Sequence, residues 1–179
     1  MTEAPLADAV ASLSDGTRVV ARPLRPEDAA QIRDGFEHLS SESRHRRFLG
    51  VLKQLPPAHE WTITHLDQHD HLAWGVAIEE GGREIGVGIG HVVRDQGRPD
   101  HGEFAIVIAD EWQKKGVGKV LTRALAIRSR EVGIPFWTAV MFLDNRPVQR
   151  VLECVGEEIG RRTLSPGIGE IEYRLKESA

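Results

Sequence analysis

Gly102-Glu103-Phe104-Ala105-Ile106-Val107-Ile108-Ala109-Asp110-Glu111-Trp112-Gln113-Lys114-Lys115-Gly116-Val117-Gly118-Lys119 runs from an apolar segment, through a glycine turn, into a segment of different period. Phe104 to Ile108 holds no polar residue, so Gly102 to Ala109 reads as a central strand buried on both faces. After the turn, Val117, Val120, Leu121, Ala124 and Leu125 recur at helical spacing, which predicts a helix from Lys115 to Val132 ending near Gly133. A strand that enters a glycine turn and then a helix gathers free N–H groups and the positive end of a helix dipole at one point, and that point suits phosphate. Gly116 and Gly118 permit positive φ and close backbone approach, while Lys114, Lys115 and Lys119 add the charge a pyrophosphate needs. A Walker loop would require Gly at Gln113 and Ser or Thr at Val120, and a dinucleotide fingerprint would require Gly at Leu121. Neither pattern is met.

Outward from this stretch the chain alternates short strands and helices. Residues 1–16 have little period and read as a loosely held arm or short helix, and residues 17–179 read as one domain. Strand patterns cover Thr17 to Arg22, His71 to Ile78, Glu84 to Val93, Phe136 to Phe142, Glu157 to Thr163 and Ile168 to Leu175; Gly81-Gly82 marks a hairpin. Helices are expected over Glu27 to Leu39, Ser43 to Leu49, Pro57 to Leu66 and Asn145 to Val155. The order is β-α-α-α-β-β-β-α-β-α-β-β. It predicts an α/β (α+β) fold with a mixed, mostly antiparallel twisted sheet of about seven strands flanked by helices.

Composition narrows the partners. With 23 Lys+Arg against 27 Asp+Glu the charges nearly balance and are interspersed, which argues against nucleic acid. Cys154 is the only cysteine, so no internal disulfide forms and a reducing, cytoplasmic setting is expected. No apolar run approaches the length that spans a bilayer, so no membrane partner is expected. His65, Asp67, His69, Asp70 and His71 lack a regular ligand frame and read as a solvated loop rather than a metal site.

Gln113-x-x-Gly116-x-Gly118, after an apolar strand and before a helix, resembles the acetyl-CoA signature of the GNAT N-acyltransferase superfamily. The element order from Thr17 to Leu175 and an Asn145 helix closed by Gly156 are similar to that family as well. The resemblance implies that acetyl-CoA is the cosubstrate and that no metal takes part. It places the pyrophosphate on the amides of Gln113, Lys114, Lys115, Gly116, Val117, Gly118 and Lys119. Ile106, Val107 and Ile108 would offer backbone groups to the pantetheine arm, Asn145 would lie near it, and a bulge splaying the strand from its neighbour would open the channel. Leu39-Ser40-Ser41-Glu42-Ser43-Arg44-His45-Arg46-Arg47-Phe48 with Glu103-Phe104-Ala105 further resembles the bacterial Pat-type protein-lysine acetyltransferases. That implies a protein lysine as acceptor, on a partner such as an acyl-CoA synthetase, with the enzyme a monomer or homodimer. A small-molecule amine, or a non-catalytic acyl-CoA-binding role, are the competing readings.

An acceptor amine with pKa near 10.4 is protonated at pH 7, and presenting it neutral costs about 4–5 kcal/mol, so the reaction needs a base. Glu103 matches the Pat-like position of that base, and burial beside Phe104 would make it a better proton acceptor. The amine would attack the thioester directly, with the Val107 N–H stabilising the oxyanion. Leu152 stands where many family members carry a tyrosine acid, so water would protonate the departing thiolate. Tyr173 reads as packing, and Gly86, Gly88 and Gly90 as close packing or a bulge. Arg44, His45, Arg46 and Arg47 read as a charged helix face or, alternatively, as recognition of an acidic partner or the substrate loop.

Overall fold

A computed structural model describes residues 8–50 and 64–177. Within them the sheet has eight strands in the order β1-β2-β3-β4-β5-β6-β8-β7. The strands are β1 (Ala9–Ser12), β2 (Arg18–Pro23), β3 (His71–Glu80), β4 (Arg83–Arg94), β5 (His101–Ile108), β6 (Phe136–Phe142), β7 (Gly156–Ser165) and β8 (Ile168–Leu175). The helices are α1 (Ala29–His38), α2 (Ser41–Phe48), α3 (Val117–Glu131) and α4 (Arg146–Val155). The helix expected over Pro57 to Leu66 falls largely outside the described residues. All pairings are antiparallel except β5 with β6.

The eighth strand is β1, within the segment expected to be an arm or short helix, and it pairs with β2 from Ala9↔Ala21 to Ser12↔Arg18. Its inward positions are the alanines, while Val10 is 55% exposed. The usual cue of large apolar residues on the inner face is therefore absent. The β3–β4 hairpin turns on Gly81 and Gly82 at φ 58 and 75, which only glycine adopts without strain.

Helix α3 packs on β4 and its neighbours through Val117, Leu121 and Leu125, all fully buried. Gly90 makes room for it: a Cβ there would come 2.7 Å from Leu125 Cδ1. Phe104 stacks on Trp137 at 4.6 Å between ring centroids, and Trp137 Nε1–H donates to Ser129 Oγ. A second, smaller cluster of Leu24, Ile32 and Ala73 lies on another part of the sheet, beneath α1. In the β3–β4 ladder the register shifts between Val76 and Ala77, which places a bulge at Gly86 to Gly88 of β4; the β7–β8 ladder shifts register between Glu158 and Gly160 and between Thr163 and Ser165.

Candidate active site

β5 and β6 run parallel only from His101↔Phe136 to Glu103↔Thr138. Beyond that the ladder stops and the strands part, so the gap opens by divergence of β5 from β6, while a bulge lies in β4, the neighbour on the other side of β5. This parting also corrects the expectation that β5 is buried on both faces. Gly102 and Phe104 are buried, Glu103 is exposed, and Ala105 to Ile108 are half-buried because they wall an opening.

The ladder decides which peptide groups face that opening. Ala109 N–H donates to Val87 C=O, and Asp95 N–H to His101 C=O, so odd-numbered residues of β5 bond to β4. Antiparallel bonding alternates every second residue. The Val107 amide is therefore engaged with β4 at Ile89, and the peptide groups of Ile106 and Ile108 look into the gap. Val107 as oxyanion donor is corrected on this ground; its side chain instead lines a cavity beneath α1 and α2. Missing from the sequence reading was the parity of the ladder, which a single turn length between β4 and β5 sets.

At the end of β5 the chain makes a short 3-10 turn, Asp110–Trp112, and enters the glycine loop. Lys114 takes φ 61 and Gly116 φ 97, so the left-handed position expected of Gly118 is taken by Lys114, a non-glycine residue strained into it. Gly118 lies inside α3, where a Cβ would meet Val151 Cγ1 at 3.4 Å. The amides of Lys119 and Val120 return to Gly116 C=O, whereas those of Lys114, Lys115, Gly116, Val117 and Gly118 have no acceptor among the described residues. Such a run of donors, with positive φ at Lys114 and Gly116 and at a helix start, has the form of a nest suited to an anion. Val117 is fully enclosed, while Lys114, Lys115 and Lys119 are exposed and Gly116 and Gly118 half-buried. Lys115 Nζ sits 4.5 Å from the Trp112 ring centroid.

The two stretches that carried the resemblance touch. Gln113 Nε2–H donates to Ile108 C=O and to Ser43 Oγ, at 3.1 and 3.0 Å. Asp110 accepts from Ser40 N–H and from the Ser40 and Ser43 hydroxyls at 2.7 to 2.8 Å, and Ser40 Oγ caps α2 by accepting from Ser43 N–H. Burial alone would raise the Asp110 carboxyl; the Ser40 and Ser43 bonds outweigh it and hold it below the usual carboxylate range. Across the gap, Arg46 pairs with Glu42 and with Asp144 beyond β6, and His45 stacks on Phe142 at 4.9 Å. Helix α2 thus bridges both lips of the opening, a role for Ser40, Ser43, Arg46 and Asp110 that the sequence reading did not assign. Within the charged stretch Arg44 to Arg47, Arg46 ties the lips and Arg47 borders the cavity beneath α1 and α2.

Glu103 shares its face of β5 with Val107, toward α2, because Phe104 between them points into the core. The burial expected for it is absent. Asn145 is buried at the start of α4 with its side chain making no cap bond, and Leu152 and Tyr173 are fully enclosed in the core. Burial pushes the Tyr173 hydroxyl up to about 12. Asp67 Oδ1 accepts the amides of His69, Asp70 and His71. Among the described residues no group of His, Cys, Asp and Glu could hold a metal ion, and no helix is long and apolar enough to cross a membrane.

The family model for the acetyltransferase (GNAT) domain matches residues 18–158. Acetyltransferase PA5475 of Pseudomonas aeruginosa is 34% identical over 155 residues, which cover 86% of this chain and 81% of that protein. The chain belongs to the GNAT acetyltransferase family. Acetyltransferase Pat of Mycolicibacterium smegmatis is 26% identical to this acetyltransferase over 84% of the chain, which spans only 44% of Pat. The GNAT domain of S. lividans PAT superposes with a TM-score of 0.80 at 26% identity, covering 94% of this chain and 97% of that one. A Salmonella typhimurium acetyltransferase solved with its cofactor acetyl-CoA shares the fold, with a TM-score of 0.68 at 14% identity over 90% of this chain and 96% of that one. As a GNAT N-acetyltransferase, this chain has its nest and its gap at the two ends of one short path along β5.

Proposed function

We propose that this protein transfers acetyl from acetyl-CoA to a primary amine, a protein lysine being the favoured acceptor and a small amine the alternative. The observation that carries the reading is the run of acceptor-free amides from Lys114 to Gly118, contiguous with the opening between β5 and β6. The pyrophosphate sits on those amides, with Gln113 and Lys119 at its margins. The pantetheine arm follows the gap past Ile106, Ile108 and Asn145. The thioester carbonyl takes a gap-facing amide, of Ile106 or Ile108, in place of Val107.

Glu103 accepts the proton of the attacking amine, directly or through water, which its exposed position allows. The amine attacks the thioester carbonyl carbon, the C–S bond breaks, and the thiolate leaves. A thiol pKa near 8.5 puts the unassisted departure only about 2 kcal/mol uphill at pH 7, so the position held by Leu152 can go without an acid. Glu103→Gln is expected to lower kcat by about 100-fold or more while leaving acetyl-CoA affinity by calorimetry nearly unchanged. Unaltered turnover in this variant would remove Glu103 from the mechanism, and absence of acetyl-CoA binding in the parent protein would remove the function.

A further inference from the structure

A cavity of about 140 Å³ lies between α1, α2 and the sheet. Its wall is mostly apolar, including Ile32, Phe36, Leu39, Phe48, Ile89 and Val107. Val107 links it to the reaction centre: its side chain lines the cavity, while the peptide groups of its two neighbours face the gap. Two arginines border this space, and they differ in one respect. Arg22 is neutralised by Asp28 and Glu84 at 2.8 and 2.9 Å. Arg47 has no carboxylate within ion-pair distance among the described residues; its hydrogen bond there goes from Nη2 to His91 Nε2 at 2.6 Å.

A guanidinium has five N–H donors and no acceptor, so His91 must offer the lone pair of Nε2 in this contact, and most of the Arg47 fork is left without an anion. Arg47 is half-buried, and its Cζ lies over the Phe48 ring, 4.9 Å from the centroid. Burial brings its pKa down to about 10, and the field of Glu103 counteracts only part of that. A buried cation without a counter-charge is costly, and an anion arriving with the substrate removes the cost. Arginine is suited to the job because its planar fork meets a carboxylate in two parallel bonds.

We propose that Arg47 binds a carboxylate of the acceptor, so that the acceptor is an amine bearing both an apolar stem, lodged in this cavity, and an acidic group. This rests on the acetyl transfer proposed above and narrows its substrate class. The carboxylate comes either from an acidic side chain beside a target lysine or from a small ω-amino acid.

The test compares acceptors that differ only in charge: 5-aminopentanoate against 5-aminopentanamide, and two lysine peptides with Glu or Gln beside the lysine. One pair is expected to favour the carboxylate by about 10- to 100-fold in kcat/KM, chiefly through KM, and which pair does so identifies the source. Arg47→Gln is expected to bring that ratio to about twofold or less. Transfer without preference in either pair, or a preference that survives Arg47→Gln, overturns the proposal. In case Arg47→Gln does not fold, the Nε–H resonance of Arg47 in the parent protein, assigned by its loss in Arg47→Lys, is followed by NMR. It should shift with 5-aminopentanoate or the Glu peptide and stay in place with their uncharged partners; equal responses within both pairs overturn the proposal. That measurement needs no acetyl-CoA, so a failure of acetyl-CoA to bind would sink the transferase reading while leaving Arg47 separately judged.

Discussion

Asp110→Asn separates the role of Asp110 as a joint from that of an ordinary surface acid. The carboxylate accepts three hydrogen bonds from Ser40 and Ser43, which hold the start of α2 against the end of β5. One oxygen takes both hydroxyls and the other takes Ser40 N–H. An asparagine can keep the first oxygen but sets its NH₂ against Ser40 N–H, losing one bond and the charge assistance of the others. Because Asp110 is exposed, each bond is worth about 0.5–1 kcal/mol and the substitution about 1–2 kcal/mol. For a chain of this size that is a fall in Tm of about 3–6 °C at pH 7. The sign with pH follows from the lowered carboxyl: the folded state binds fewer protons than the unfolded state as pH approaches 4, so this stability is present above the unfolded value and is lost as pH falls through the folded one. Calorimetric Tm values for parent and variant should therefore converge on acidification, since a protonated Asp110 is chemically close to Asn. A gap of the same size at pH 7 and at the acid end of the folded range, or none at pH 7, would refute the assignment.

Gly116→Ala and Gly118→Ala should part company: the first places a Cβ at φ 97 and is expected to cost about 1–2 kcal/mol and weaken acetyl-CoA binding, while the second lies in helix and should leave stability equal or higher. Similar urea midpoints for the two would contradict the nest geometry. Tyr173→Phe removes a buried hydroxyl that has no partner among the described residues, so stability should rise by up to about 1 kcal/mol; a clear loss by thermal denaturation would reveal a bond to water. His71 is held neutral by burial against the pull of Asp67, whereas the unfolded chain takes up its proton near pH 6.5. Stability should thus be full above that pH and decline below it, and His71→Gln should flatten the decline in urea titrations from pH 7.5 to 5.5.

The legible parts of this protein were those where local pattern and tertiary packing agree. The Phe136–Phe142 and Ile168–Leu175 strands and the α3 helix stand where periodicity puts them, because their apolar residues face the core. β1 escaped because its inward residues are alanines and its one large residue faces out. The face of β5 toward α2 misled for the opposite reason, its apolar residues lining an opening rather than a core. Glycines were legible as loop-formers but not individually: Gly116 carries the left-handed turn with Lys114, and Gly118 does not.

The joint at Asp110 explains why the stretch around Ser40 and the stretch around Gln113 belong together, although about 70 residues separate them in each contact. Ser43 is the shared atom site: its hydroxyl donates to Asp110 and accepts from Gln113, whose other contact is the last carbonyl of β5. A displacement of the glycine loop on filling with a pyrophosphate, as proposed, would reach the start of α2 through these contacts. The far end of that helix carries Arg46 on Asp144 and Arg47 in the cavity wall. The helix has only eight residues, about 12 Å of rise, so a single run of backbone hydrogen bonds links its two ends. If acetyl-CoA fills the nest and the acceptor meets Arg47 as proposed, this chain of contacts predicts coupling between the two sites, and such coupling is reciprocal. Acetyl-CoA should then change acceptor affinity by the same factor as acceptor changes acetyl-CoA affinity, and Asp110→Asn, which loosens the joint by one hydrogen bond and its charge, should move both factors together toward one.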